Sequence, residues 1–277
     1  MRALLDGDML IYRAAFASQT TVDLGDGLGN TPIVDEDEAI AEAMRLVRKW
    51  TKLARCTEPV LVLSAVKSDS FRHRLWPAYK ANRTAEKPAA YNAVRAALSD
   101  ELEVLAEPGL EADDLLGIYG TEPGAEVVVV SGDKDMKTLP TLVLNPMHED
   151  KPTRIRPTVA DQMWMKQTMV GDAVDGYPGI PKVGPVTAQN LILNPTRLRK
   201  TVQYVGKRNP KPVEKWVEGE PCSVWQAMVD RAARAGLTEA ELVAQAQLAR
   251  ILRHGDWNQD TRTVRLWTPN GPKELPL

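Results

Sequence analysis

The sequence predicts an α/β fold, a mostly parallel twisted sheet flanked by helices and followed by a helical C-terminal region. Two observations carry this. Arg2–Asp6, Pro59–Ser64, Glu101–Ala106, Glu126–Ser131 and Thr141–Asn145 are short apolar, β-branched or Leu-rich runs of strand length. They alternate with segments of helical periodicity, and strands alternating with helices fold as a parallel sheet. From Thr158 onward the pattern becomes helical, with no further sheet-forming run before Thr263–Trp267.

Element by element, Glu36–Arg55 carries Ile40, Met44, Val47 and Ala54 at helical spacing, and Ala112–Gly120 carries Leu115, Leu116 and Tyr119. Thr158 with Asp161 reads as a capping box opening a helix through Ala173, and Thr238 with Glu241 as another opening a helix through Arg253. Asn194–Trp216 is basic and contains proline, and reads as a long exposed connection. These boundaries divide the chain into a core at 1–157 and a helical region with a C-terminal tail at 158–277.

With 277 residues, 43% of them hydrophobic, the chain can bury one large core or two small ones. Cys56 and Cys222 match no metal-ligand spacing and are too few for a disulfide framework, so a reducing cytoplasm is expected. The longest apolar runs fall well short of the ~20 residues of a membrane helix, and the opening MRALLDGD lacks the apolar core of a signal peptide, so no membrane partner is expected. The net charge of −2 argues at first against a polyanionic partner. If Asp6, Asp8, Glu111, Asp113, Asp114, Asp133, Asp135, Asp172 and Asp175 form one metal site, however, 28 acids stand against 35 Lys and Arg, and the remainder is at +7.

Those acids sit where a parallel sheet builds its ligand crevice, at the carboxyl ends of strands. Asp6 and Asp8 close the first strand, Asp133 and Asp135 follow the valine run, and Glu111, Asp113 and Asp114 open a helix. Asp172 and Asp175, three apart, are read as sharing a helix face. Gathered together they would repel severely without cations. Oxygen-only ligands favour Mg²⁺ or Mn²⁺, and a pair of ions ~3.5–4 Å apart suits in-line displacement at a phosphodiester. Each pair alone has an ordinary explanation as a cap or a response to the helix dipole. The loop Gly179–Gly184 adds backbone amides, with Lys182 at its tip and Pro185 placed to start a helix. It reads as a phosphate clamp that grips the backbone without reading bases, or as a plain inter-helix turn.

LLDGDMLIYR, FRHRLWPAYKANR, GLEADDLLG, VVVVSGDKDMKTL and GDAVDGYPGIPKVGPVTA occur in the order seen in the flap endonuclease and 5′-to-3′ exonuclease superfamily, over Met1 to about Leu193. The C-terminal part, with Gln247–Arg253 and Val264–Pro269, most resembles the stand-alone 5′-to-3′ exonucleases of short-tailed bacteriophages. The resemblance implies a PIN-like nuclease core with a helix-hairpin-helix subdomain, and it implies that Asp6, Glu111, Asp113, Asp114, Asp133, Asp135, Asp172 and Asp175 match the metal carboxylates. Asp8 is an extra acid that either joins through water or caps. Lys80 and Arg83 match basic residues at the base of a helical arch, at about 80–98, that contact the scissile phosphate; Arg13 matches another basic position. Gly179, Lys182 and Gly184 match the duplex clamp, which the resemblance furnishes with a K⁺ ion. Tyr12 and Tyr79 are candidates for stacking on an unpaired base.

The activity so implied is Mg²⁺-dependent hydrolysis of duplex, nicked, gapped or flapped DNA, with Mn²⁺ able to substitute. Two ions assist water attack and 5′-phosphates are released; RNA–DNA hybrids and replication proteins are further expected partners. One departure stands out. Where the family places an aspartate after the second strand this chain reads Ser64-Ala65, with Asp69 a few residues on as either a shifted replacement or an outsider. The rival readings are a PIN-type ribonuclease, which lacks the hairpin, and a non-catalytic DNA-junction binder.

Overall fold

Strand β1 (Arg2–Asp6) runs between β4 (Glu58–Val62) and β6 (Val127–Val130), parallel to both. In this computed structural model, which describes residues 1–23, 30–65, 70–84, 86–206 and 209–277, that trio is the centre of a six-stranded sheet. Its order is β5-β4-β1-β6-β7-β8, with β5 (Glu103–Leu105) and β7 (Leu142–Leu144) also parallel and only the edge strand β8 (Thr153–Arg154) antiparallel. Leu4, Leu5, Leu61, Val62, Val129 and Val130 are all buried, as expected for strands covered on both faces.

One face packs under α1 (Gly7–Ala17), α2 (Glu36–Leu53) and α4 (Tyr91–Glu101) through Leu10, Ile11, Trp50, Val94 and Leu98. The other packs under α5 (Ala112–Gly120) through Leu115 and Leu116. The five predicted strands all form, the first with the predicted bounds and the other four shorter by one to three residues, and α2 and α5 lie where the periodicity places them. The hairpin β2 (Gln19–Asp23) with β3 (Asn30–Val34) has no counterpart in the sequence reading.

Beyond the sheet come the short α3 (Phe71–Leu75), α6 (Pro157–Val170), α7 (Pro185–Leu193), α8 (Val224–Ala235) and α9 (Glu239–Ala249). The Thr238–Glu241 capping box forms, with Glu241 N–H donating to the Thr238 hydroxyl and Thr238 N–H to the Glu241 carboxylate. The Thr158–Asp161 box does not: α6 starts one residue earlier on Pro157, whose fixed φ suits the first helical position, and no side chain caps it. That helix also stops at Val170 rather than Ala173.

Two further readings are corrected. The presumed connection Asn194–Trp216 is a long antiparallel ribbon of β9 (Thr196–Val205) and β10 (Lys211–Pro221). The tail, grouped with the helical region at 158–277, folds back on the sheet instead. Ile251, Leu252, Val264 and Leu266 belong to the same buried cluster as Leu4 and Val60. The three-stranded sheet of β11 (Trp257–Asn258), β12 (Thr263–Leu266) and β13 (Lys273–Pro276) forms there. Among the described residues no helix is long and apolar enough to cross a membrane.

Candidate active site

Because β1 is central, its last residue lies mid-edge of the sheet. There Asp6 ends the strand and caps α1, accepting a hydrogen bond from Met9 N at 3.0 Å. Its other oxygen accepts from the buried Ser131 hydroxyl at 2.7 Å, and the same hydroxyl accepts from Asp133 N at 3.0 Å. Ser131 therefore ties the end of β1 to the loop after β6, a role that a lone serine after a valine run does not announce.

Glu111 and Asp113 reach the same edge from the start of α5. Ser64, standing where the family aspartate is missing, fastens this corner: its hydroxyl accepts from Ala112 N at 2.9 Å and its own N–H donates to Asp8 Oδ2 at 3.0 Å. Asp8 also faces Tyr91 and Arg95, with the Arg95 guanidinium 3.6 Å away. Asp69 lies outside the described residues.

Asp6, Asp8, Glu111, Asp113 and Asp133 line one cleft of ≈ 1820 Å³. Its walls are basic: Arg13 from α1, Arg45 and Lys49 from α2, Lys80, Arg83 and Lys87 from the segment after α3, and Arg95 from α4. Arg45, Lys49 and Arg95 escape the sequence reading because helical surface cations carry no signature until the fold turns them inward. Tyr12 also lines the cleft, edge-on to Tyr91 with ring centroids 5.0 Å apart, and remains able to meet a base. Tyr79 is not: it is buried, and its hydroxyl donates to Glu111 at 2.9 Å.

The electrostatics record the crowding. Burial, reinforced by Asp8 and Asp133, raises Asp6 to about 6 against the resisting hydrogen bonds from Met9 and Ser131. Burial and the charges of Asp6 and Asp133 push Asp113 well up. Burial and Asp133 bring Asp135 to about 6. Glu111 goes the other way: burial opposes its ionisation, but Lys80 and Arg72 outweigh it and hold the carboxyl at about 2.

Asp114 departs from its expected role. It is fully buried and points into the protein, where both oxygens meet the buried Arg72 guanidinium at 2.6 and 2.8 Å and one also accepts from Leu252 N. Arg72 continues to the carbonyls of Leu248 and Arg250, fastening α5 to the C-terminal chain. Asp114 is thus a brace for α5, since a buried carboxylate must be paired. Nothing in FRHRL distinguishes Arg72 from its neighbouring cations in the sequence.

Asp172 and Asp175 are not on a helix. α6 ends at Gly171 (φ +78), and Asp172 folds the next residues into a turn by accepting from Val174 N at 2.8 Å. Asp172 pairs with Tyr177 as a single bridge. Asp175 accepts from Arg83 at 2.6 Å, its carbonyl takes the N–H of Lys80, and Tyr79 OH reaches it at 3.4 Å. The YKANR stretch and the aspartate loop are thus clamped together, with Lys80 (φ +52) turning its Nζ to within 2.7 Å of Glu111. Between about 80 and 98 the described residues 81–84, 86, 87 and 89 are exposed, Pro88 is buried, and Tyr91, Val94 and Leu98 of α4 are core residues.

Asp135 lies in the 3-10 turn Lys134–Thr138 and accepts from Gln167 of α6 at 2.6 Å. The charges of Asp135, Asp172 and Asp175 all bear on Tyr177, which burial pushes above its ordinary range and whose buried hydroxyl has no partner among the described residues. The acids thus form a continuous chain from Asp113 through Asp6 and Asp133 to Asp135 and Asp172. As the side chains stand, no three described acids close on one point. Lys80, Arg83, Lys134 and Gln167 draw them aside. Oxygen-only donors, carboxyls raised by burial and by neighbouring acids, and an orphaned hydroxyl beside them fit hard divalent cations with retained water.

The hairpin between α6 and α7 is held by contact of Gly171 with Gly179, where a Cβ on either would collide with the other's backbone. Gly179 spends its N–H on the Gln245 side chain at 2.6 Å, so it supports the turn and offers no amide to a ligand. Lys182 is exposed at the tip with φ +67, and Gly184 starts α7 with no side-chain cap, Pro185 following at the first helical position. Residues 184–187 at that helix start are exposed.

The family described as 5′-3′ exonuclease, N-terminal resolvase-like domain, matches residues 1–167. An exodeoxyribonuclease of Enterobacteria phage T3 is 33% identical over 287 aligned residues, covering 96% of this chain and 92% of the phage protein. An exonuclease of Escherichia phage T7 is 32% identical over 290, covering 96% and 93%. In fold the chain resembles the T5 D15 protein co-crystallised with metal ions, with a TM-score of 0.53 at 16% identity over 90% of this chain and 88% of that one. Sequence match and architecture together place this chain in the 5′-3′ exonuclease family.

Proposed function

We propose that the protein is a divalent-metal-dependent 5′-to-3′ exonuclease and flap endonuclease acting on DNA with a 5′ end, nick, gap or flap, RNA primers on DNA included. The observation that carries this reading is the single cleft with an acidic floor and basic walls. Asp6, Glu111, Asp113 and Asp133, with Asp135, Asp172 and Asp175 alongside, would hold the ions, two of Mg²⁺ or Mn²⁺. When bound, such ions lower the pKa of water and stabilise charge on a phosphodiester.

The remaining work belongs to the chain's own groups. Lys80 and Arg83 neutralise Glu111 and Asp175 in the resting protein, and turn toward a phosphate once those carboxylates are engaged elsewhere. Arg13 and the other wall cations would hold the strand, with Tyr12 beneath an unpaired base. The exposed residues 81–84 would gate the strand's entry. Lys182 and the amides from Gly184 would hold the duplex backbone, with K⁺ as the hairpin's ion. The hairpin disfavours a PIN-type ribonuclease, and the assembled acids disfavour a non-catalytic binder. Incubation with 5′-labelled nicked and flapped duplexes is expected to release 5′-phosphorylated products with Mg²⁺ and none with EDTA. Intact substrate under both conditions would defeat the reading.

A further inference from the structure

The ribbon of β9 and β10 has no part in the site described so far. Its root is fixed: Leu198 is buried, and Arg197 and the Leu198 N–H both bind the Asp230 carboxylate of α8, at 2.7 and 2.8 Å. Arg231 of α8 holds the other side through the Thr196 carbonyl and Glu218. From Arg199 outward the strands are largely exposed, Val202, Tyr204, Val205 and Val213 among them. The free part, from Arg199 to Val205 on one strand, is about 23 Å long at ~3.4 Å per residue. A bare two-stranded hairpin is marginal in water, so an arm this long is better suited to lying against something.

Charge identifies the partner. Residues 196–221 hold seven Lys and Arg against three Glu, a net +4 within a chain of net −2. Arg197, Arg199 and Lys200 are neutralised by Asp230, Glu220 and Glu214. Lys211 and Lys215 have no acidic partner among the described residues. The register places them on one face, opposite Val205 and Thr201 and on either side of Val213, while Tyr204 lies on the other face. The ribbon also begins directly after α7, whose opposite end is the proposed duplex clamp; nine helical residues separate the two by roughly 13.5 Å.

We infer that the β9–β10 ribbon is a second, sequence-independent contact for duplex DNA, its Lys211–Lys215 face lying along the phosphate backbone beyond the hairpin clamp. A two-stranded ribbon has the width to follow a groove. Its free length corresponds to about 7 base pairs at ~34 Å per turn. The inference rests on the nuclease reading above, and its test separates the two.

The test measures equilibrium binding of the full-length protein to nicked duplexes whose arms grow in steps of a few base pairs, in Ca²⁺ and over a range of salt. Wild type is expected to gain affinity over a step of about 7 base pairs on one arm. The variant K211A/K215A is expected to lack that gain and to lose about two from the slope of log affinity against log salt, each phosphate contact contributing ~0.9. Its cleavage of a short-armed substrate should match wild type. Equal slopes and equal length dependence in the two proteins would overturn the inference. So would a wild-type dimer that Tyr204→Ala dissociates, which would assign the ribbon to a second copy of the chain. Absence of any DNA binding by wild type would instead overturn the nuclease reading itself.

Discussion

Lys80 Nζ lies 2.7 Å from Glu111 Oε1, and both groups are largely buried at the edge of the acidic floor. The pair keeps Glu111 ionised at about 2 despite burial, with Arg72 as the second cation. Removing the ammonium leaves a buried carboxylate with one cation fewer. Lys80→Ala should therefore lower stability by about 1–3 kcal/mol in urea titration and slow cleavage by roughly 10²–10³. Lys80→Met tests packing against charge: if it restored the cleavage rate, the charge would have no catalytic part.

Arg72 and Asp114 form the brace behind the floor. Arg72→Met leaves Asp114 buried without its cation and should cost about 3–5 kcal/mol. The double variant R72M/D114L should recover most of that loss, because burying two apolar groups is cheap where burying one charge is not. A double variant as unstable as the single one would show that the pair is not the source of the cost.

Substitutions in the hairpin should separate shape from contact. Gly179→Ala meets the Gly171 backbone and a positive φ of 70°, and should cost more than about 2 kcal/mol. Gly184 has open space and φ −87; Gly184→Ala should cost only about 0.5–1 kcal/mol, the loss of a favourable N-cap residue. Lys182→Ala should leave stability alone and reduce the salt slope of DNA binding by about one. An unchanged slope would remove Lys182 from the clamp.

The acids also set a pH dependence for the metal-free protein. Asp6 and Asp135 titrate at about 6 when folded, against an ordinary 3.8. The folded state therefore binds more protons than the unfolded one between those values, and stability falls as pH rises through the window. Glu111, depressed from 4.5 to about 2, has the opposite sign: its contribution is complete above 4.5 and is lost only below. Metal-free protein should thus be more stable at pH 5 than at pH 7.5, by on the order of 2–3 kcal/mol. Added Mg²⁺ or Mn²⁺ should close the gap. Chemical denaturation without metal at the two pH values decides it, and a flat or rising profile would mean that burial and neighbouring acids do not hold Asp6 and Asp135 up.

The α/β order is readable because the strands are short β-branched runs buried on both faces and the helices keep their period. The acids announce themselves because carboxylates at consecutive strand ends have few other uses. What the sequence conceals depends on the third dimension. Asp113 and Asp114 are adjacent and alike, yet one meets the cleft and the other Arg72, since a helix turns successive residues by ~100°. Asp172 and Asp175 mimic a helix face at spacing three, but Gly171 at positive φ has already ended the helix. The ribbon looks like a loop because its lysines, prolines and glycine obscure the alternation of strands.

The central claim is that the floor is a divalent-cation site shared by acids from several strand ends. Calorimetric titration of Mn²⁺ into the DNA-free protein, wild type against Asp113→Asn and Asp133→Asn, tests it most directly. Binding by wild type, weakened at least about tenfold in each variant with folding intact by circular dichroism, is the predicted result. Equal Mn²⁺ affinity in all three proteins would contradict the account.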